Sequence, residues 1–204
     1  MSGQNLKIIT ALWGDKYSED DVRKLPIDLV FSDRDVPGVK TLPIDTSYKN
    51  TWRKMTLFDS RLELGECLFL DLDIIMQGDI IDLINYYNEH KIESKVMLAH
   101  VHWFNNKRME QRKSTYISCN VNSSVFAFDN SKCDHIYQEV VKYQPRLEML
   151  FEGTDKWFYH KHKDWYQFFP DHMIQHSIHN YDYHNKNKAI VISNNGSADG
   201  RNKV

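Results

Sequence analysis

The chain has 204 residues, 41% of them hydrophobic, which is enough to bury one sizeable core in a single large domain. Its 26 Lys and Arg against 28 Asp and Glu leave a formal charge of -2. That near-balance excludes a global field recruiting nucleic acid or an anionic membrane, so any anionic substrate has to be met locally.

Cys67, Cys119 and Cys133 are odd in number and lack C-x-x-C spacing, and so read as reduced thiols. No apolar signal core precedes Leu6, and no uninterrupted apolar stretch approaches the ~18 residues of a membrane span. The expectation is a soluble, cytoplasmic protein with no transmembrane segment and no nucleic-acid partner. Aromatic residues make up 13% of the chain, with five Trp and eleven Tyr. Flat rings of this kind suit sugar C–H faces, although core packing is their commoner use.

In chain order, Lys7 to Leu12 is an apolar run closed by Trp13-Gly14 and reads as a buried first strand. Ser18 with Asp21 three residues on has capping-box spacing for a short helix that stops before Pro26. Asp28 to Ser32 and Val39 to Ile44 read as extended. Trp52, Met55, Asp59 and Leu62 recur at helical spacing, with Gly65 placed as a C-terminal cap.

Glu66 to Leu72 contains Cys67-Leu68-Phe69-Leu70, too short for a helix and predicted as a central strand. Asp79 is placed to cap a helix through Tyr87 with Ile80, Leu83, Ile84 and Tyr87 on one side. Val96 to Val101 reads as a strand, the basic stretch from Trp103 to Thr115 as a surface loop, Val121 to Phe128 as a strand, and Ser131 to Tyr143 as an amphipathic helix. A final strand is predicted at Ala189 to Ile192, after which residues 194–204 read as a loop or linker. This alternation predicts an α/β architecture: a mostly parallel sheet sandwiched by helices, with ligands beyond the carboxyl ends of the strands.

The chemistry concentrates at Asp71-Leu72-Asp73. Strand periodicity would put both carboxylates on one face with Leu72 turned into the packing. Two adjacent carboxylates repel, and a divalent cation resolves the conflict while leaving positions open for phosphate oxygens. Hard oxygen ligands favour Mn2+ or Mg2+ over zinc. Spacing alone is weak evidence, because D-x-D recurs by chance at strand ends.

Leu68-Phe69-Leu70-Asp71-Leu72-Asp73-Ile74-Ile75 resembles the aspartate motif of the GT-A-fold glycosyltransferases. Ile8 to Tyr17 resembles their opening strand, Phe31-Ser32-Asp33 the end of their second strand, and Trp52-Arg53-Lys54-Met55 a helix lending a cation to phosphates. Cys119 to Val125 is similar to their Asn-Ser/Ala-Gly strand beside the donor sugar. The order matches over most of the chain and looks closest to small glycosyltransferase domains of phages and large DNA viruses, chlorella viruses included. There such a domain can be one part of a longer polypeptide acting in the host cytoplasm.

The resemblance implies a single GT-A-like (Rossmann-like) catalytic domain over residues 1–193, with a nucleotide-binding part at about 1–75 and a donor and acceptor part at about 76–193. It implies transfer of a hexose or deoxyhexose from a nucleotide diphosphate sugar, UDP-sugar by preference, to a glycan acceptor. Metal ligation falls to Asp71 and Asp73, and donor binding to Thr10, Leu12, Trp13, Tyr17, Asp33, Lys54, Leu72, Asn122 and Ser123. The family's His-containing loop, a source of a third metal ligand, has no counterpart in Ile192 to Gly196; Asn195, water or substrate oxygen could fill that position, with Arg201 or Lys203 near the diphosphate.

Asp155 stands where related enzymes present an acid near the acceptor hydroxyl, which makes it the catalytic base of an inverting reaction; a helix-capping role for Thr154 or Asp155 fits equally. His160, His162, His172, His176 and His179 cluster late, with His172 and His176 four apart on a possible helix. They read as acceptor-cleft lining, with zinc as the lesser alternative. The rival functions are a haloacid-dehalogenase-like phosphatase, whose nucleophilic D-x-D normally opens the domain, and a sugar-nucleotide or glycan-binding module without turnover.

Overall fold

The computed structural model describes residues 6–101, 119–161, 163–176 and 190–193. Its main sheet has seven strands in the order β3-β2-β1-β4-β7-β6-β8: β1 Lys7–Leu12, β2 Leu29–Ser32, β3 Lys40–Pro43, β4 Glu66–Leu70, β6 Val96–His100, β7 Val121–Asp129 and β8 Tyr166–Phe168. Strands β1 to β4, β6 and β8 run one way, and β7 is antiparallel between β4 and β6. A second sheet joins β5 (Ile74–Met76), β10 (Val191–Ser193) and β9 (Ile174–His176). The helices are α1 (Glu19–Arg23), α2 (Ile80–His90), α3 (Asp134–Leu150) and α4 (Thr154–Lys161). The α/β architecture with a mostly parallel sheet is the one the sequence predicts.

Both faces of the central strands are buried, so they read as continuous apolar runs rather than alternating ones. Phe69 and Phe126 turn to one face and stack with their centroids 4.6 Å apart, joined there by Phe58 and Phe128. Leu68, Leu70, Val125 and Ala127 turn to the other, where they meet Leu83 and Tyr87 of α2 and Ile174 of β9. Asp79 caps α2 as predicted, accepting from the Ile81 N–H at 2.9 Å. At α1 the Ser18 N–H donates to Asp21 Oδ2 at 2.9 Å.

Four boundaries differ from expectation for physical reasons. The segment predicted as a helix around Trp52 is two 3-10 helices, Asn50–Phe58 and Ser60–Leu62, interrupted at Asp59. Trp52, Met55 and Phe58 recur every three residues, which is the 3-10 repeat. Gly65 does not cap it; Glu63 takes the left-handed C-cap conformation at φ 50°, and Gly65, at φ 71°, leads into β4. Helix α3 runs on past Tyr143 and through Pro145 to Leu150, with Ile136, Val140 and Leu147 buried, so packing outweighs the one hydrogen bond proline removes. His172 and His176 share no helix, since His172 lies in a turn and β9 ends at His176. The basic stretch from Trp103 to Thr115 and residues 194–204 lie outside the described residues, as do His162 and His179.

One buried residue fastens the 3-10 segment to the sheet. Asn130, fully buried at the end of β7, donates from Nδ2 to the Leu57 and Asp59 carbonyls at 2.8 and 3.0 Å and accepts from the Leu64 N–H at 3.3 Å. Asn130→Ala would leave these backbone groups unsatisfied, so it is expected to cost about 3 kcal/mol, at ~1–3 kcal/mol per stranded group. Urea unfolding at equilibrium measures this, and an effect below about 1 kcal/mol would mean that water replaces the amide.

Candidate active site

From β1 the sheet grows to β2 and β3 on one side and to β4 on the other, so a crevice opens beyond the carboxyl ends of β1 and β4. Because β7 is antiparallel, its first residues come to the same edge. There the register between β6 and β7 jumps: Leu98 pairs with Phe126, but Ala99 pairs with Asn122. Such an irregularity re-aims side chains, and Asn122, Ser123 and Ser124 all line the resulting cleft of about 330 Å³. Trp13, Lys16 and Tyr17 line it from the loop after β1, Asp71, Leu72 and Asp73 from the end of β4, and Thr51, Lys54 and Asp155 from the 3-10 segment and α4.

The two acids do not sit on a strand. Strand β4 ends at Leu70, and Asp71 to Asp73 form a turn in which the Ile74 N–H approaches the Asp71 carbonyl at 3.4 Å. The Asp71 N–H donates to the Ser124 carbonyl at 2.8 Å, tying the turn to β7. It is this turn, and not strand periodicity, that brings both carboxylates to the cleft, with one Asp73 oxygen, Oδ1, buried. Leu72 packs towards Leu12, Val22 and Val30.

Lys54 reaches into the cleft floor from the opposite layer. Its side chain is 4% exposed, and Nζ donates to Asp71 Oδ2 at 2.8 Å and to the Ser123 carbonyl at 2.9 Å. Burial pushes the Asp71 carboxyl up to about 6 despite this partner, and the charges of Asp73 and Asp155 push the same way. The resemblance implies a phosphate-facing role for Lys54, and in the structure its ammonium engages Asp71 at the same cleft.

Asp155 lies in the first turn of α4, and its Oδ1 accepts from the Ser123 N–H at 3.0 Å. Burial raises its pKa, and Lys54 and the Ser123 hydrogen bonds pull it back. Asn122 Oδ1 accepts from the Ser124 N–H at 2.9 Å, which shapes the bulge, and Ser123 Oγ lies 3.4 Å from Thr154 Oγ1. Gly153 lets α4 start close to the 3-10 segment, since a Cβ there would lie 2.9 Å from Thr51 Oγ1.

Three expected donor-binding residues have side chains engaged elsewhere. Thr10 Oγ1 donates to the Leu70 carbonyl at 2.6 Å, locking β1 to β4. Leu12 is fully buried in a small core with Val22, Val30 and Val36. Asp33 Oδ2 accepts from the Gly14 N–H at 2.9 Å and so shapes the loop that carries Trp13 and Tyr17. Lys16, Thr51 and Ser124 line the cleft without having been singled out from the sequence; Lys16 stands beside Tyr17, which was the only signal available for it.

The donor set fits a hard divalent cation: two oxygen ligands facing one open cleft, with like-charge repulsion that such an ion relieves. Among the described residues, no group of three or more His, Cys, Asp or Glu side chains is placed to hold a metal. The acids follow the fourth strand, not the first, so nothing in their placement favours the phosphatase. Among the described residues no helix is long and apolar enough to cross a membrane.

No family model matches the chain, and no curated protein matches it in sequence. Solved structures match its architecture. The galactosyltransferase LgtC, in complex with donor and acceptor sugar analogues, is 10% identical with a TM-score of 0.61 over 94% of this chain and 87% of that one. A glycosyltransferase involved in glycosylation of the major capsid of PBCV-1 is 9% identical, with a TM-score of 0.56 over 95% and 96% of the two chains. The glycosyltransferase GlyE of Streptococcus pneumoniae is 16% identical, with a TM-score of 0.54 over 83% of this chain; the chain spans about half (47%) of GlyE. At these identities the likeness is one of architecture, and the chain has the mixed α/β fold of GT-A glycosyltransferases.

Proposed function

We propose that the protein is a metal-dependent glycosyltransferase that moves a hexose or deoxyhexose from a nucleotide diphosphate sugar, a UDP-sugar by preference, to a glycan acceptor with inversion. The observation carrying this reading is the convergence of Asp71, Asp73, Asp155 and Lys54 on one cleft at the switch point of a glycosyltransferase-type sheet. The three cysteines are free, which supports a reducing, cytoplasmic setting.

In this reading Asp71 and Asp73 would hold Mn2+ or Mg2+ through their carboxylate oxygens. When bound, the cation supplies positive charge where the departing nucleoside diphosphate becomes more negative. Lys54 fixes the Asp71 carboxylate through Oδ2 and offsets part of the cleft's negative charge. Trp13 and Tyr17 offer flat faces to the nucleobase, and Asn122 and Ser123 border the donor sugar from the β7 bulge. Asp155 takes the proton of the attacking acceptor hydroxyl. The Ser123 N–H holds its carboxylate, and burial makes it a stronger base than a solvated Asp.

Mn2+ together with UDP is expected to raise the thermal midpoint of the protein, since a ligand that binds only the folded state stabilises it. In Asp73→Ala the Mn2+-dependent part of that rise disappears and transfer is lost, while the midpoint without ligand stays near that of the parent. A full Mn2+-dependent rise in this variant would remove Asp73 from the metal site.

Asp155→Asn is expected to lower kcat by about 10²–10⁴, the usual worth of a general base, with little change in donor KM. A base must be ionised, and burial raises the Asp155 pKa above its ordinary 3.8. The parent's kcat therefore falls on the acid side, through a midpoint higher than that of a solvated Asp. Near-normal turnover in the variant, with the acid limb unchanged, would take the base role from Asp155.

A further inference from the structure

We infer that Lys16 is the residue of this cleft that grips the diphosphate of the donor, and that Arg34 holds the loop presenting it. The inference rests on the donor reading above and adds a cation that this reading does not use.

The charges on the cleft wall set the problem. Three carboxylates, Asp71, Asp73 and Asp155, face two lysines, Lys54 and Lys16. Lys54 is buried and committed to Asp71 Oδ2 and the Ser123 carbonyl, at 2.8 and 2.9 Å. A diphosphate brings at least two further negative charges. With Lys54 paired to Asp71, one divalent cation still cannot offset both the other two carboxylates and the diphosphate, so a further cation beside the phosphates would strengthen donor binding. Among the described lining residues, Lys16 is the exposed cation. Its ammonium lies 4.7 Å from the centre of the Tyr17 ring, an arrangement that keeps the charge at the mouth of the cleft without burying it.

The loop that carries Lys16 is braced from outside the cleft. The Arg34 guanidinium donates to the Gly14 carbonyl at 2.9 Å and to the Tyr17 carbonyl at 3.1 Å, one contact on each side of Lys16. Glu19 Oε1 accepts from Arg34 Nε at 2.8 Å, and Asp33 accepts both from Arg34 and from the Gly14 N–H. A planar guanidinium with several fixed donors suits this bridging task. The lysine backbone is thus positioned before any ligand arrives, which lowers the ordering cost of binding.

The test is calorimetric titration of UDP and of uridine, with Mn2+ present, into the parent, Lys16→Gln and Lys16→Arg. An exposed lysine tolerates both changes, and an unchanged thermal midpoint without ligand verifies it. In Lys16→Gln, UDP is expected to bind about three- to tenfold more weakly and uridine as in the parent, with a smaller loss at high salt. Lys16→Arg keeps UDP binding within about twofold, because the charge remains. Parental UDP affinity in Lys16→Gln, or equal loss for UDP and uridine, overturns the inference and leaves the donor reading standing. A parent that binds no nucleoside diphosphate from a panel of UDP, GDP and ADP overturns both.

Discussion

Three carboxylates share one cleft, and the contact that lets them stay there is the ion pair between Lys54 and Asp71. Breaking it from either side would leave a buried charge, which is far costlier than the pair's net worth. The pair also crosses layers. Lys54 rides on the 3-10 helix Asn50–Phe58, which lies on one face of the sheet, while Asp71 opens the turn directly after β4. Whatever fixes that helix therefore fixes the site: Trp52 against Trp157, Phe58 against Phe126 and Phe128, and Asn130 holding the backbone at Leu57 and Asp59. A nine-residue run of 3-10 helix is long for that geometry, and packing at every third residue is what sustains it.

The one antiparallel strand of the main sheet, β7, shapes the other wall. Were β7 parallel to its neighbours, its first residues would lie at the far edge of the sheet. Running against them, it delivers Asn122, Ser123 and Ser124 to the carboxyl ends of β1 and β4. The register jump opposite Leu98 and Ala99 then frees backbone groups in the bulge for local use: the Ser123 N–H meets Asp155, the Ser123 carbonyl meets Lys54, and the Ser124 carbonyl meets the Asp71 N–H. Three otherwise unrelated elements thus meet through the backbones of two adjacent residues.

Much of this was legible in the sequence because it follows from short-range pattern. Cys67-Leu68-Phe69-Leu70 is apolar on both faces and is a central strand; Asp79 and Ser18 sit at helix starts; Asp71, Asp73, Lys54, Asn122, Ser123 and Asp155 all reach the cleft. What was not legible depends on long-range pairing. The short strands Ile74–Met76, Tyr166–Phe168 and Ile174–His176 carry too few residues to show a period, and they exist because partners from distant segments meet them. The turn at Asp71 to Asp73 looks like a continuing strand until the Ile74 N–H is seen to fold back towards the Asp71 carbonyl. Lys54 on phosphate and Lys54 on Asp71 are the same residue at the same cleft, and only the 2.8 Å contact separates the two readings.

That contact also bears on which cation the site would suit. Asp71 Oδ2 accepts from Lys54, so a bidentate grip by this carboxylate would compete with the lysine. Calcium is commonly held by bidentate carboxylates within six to eight oxygens, whereas magnesium keeps an octahedral shell with one or two carboxylates and takes the rest from phosphates and water. In the proposed site, a lysine on one oxygen of Asp71 would therefore bias the turn towards the smaller ion. With only Asp71 and Asp73 proposed as protein ligands, such a site would depend on the substrate for completion. In the proposed reaction a cation short of protein ligands would complete its shell with diphosphate oxygens, and this would couple metal binding to donor binding.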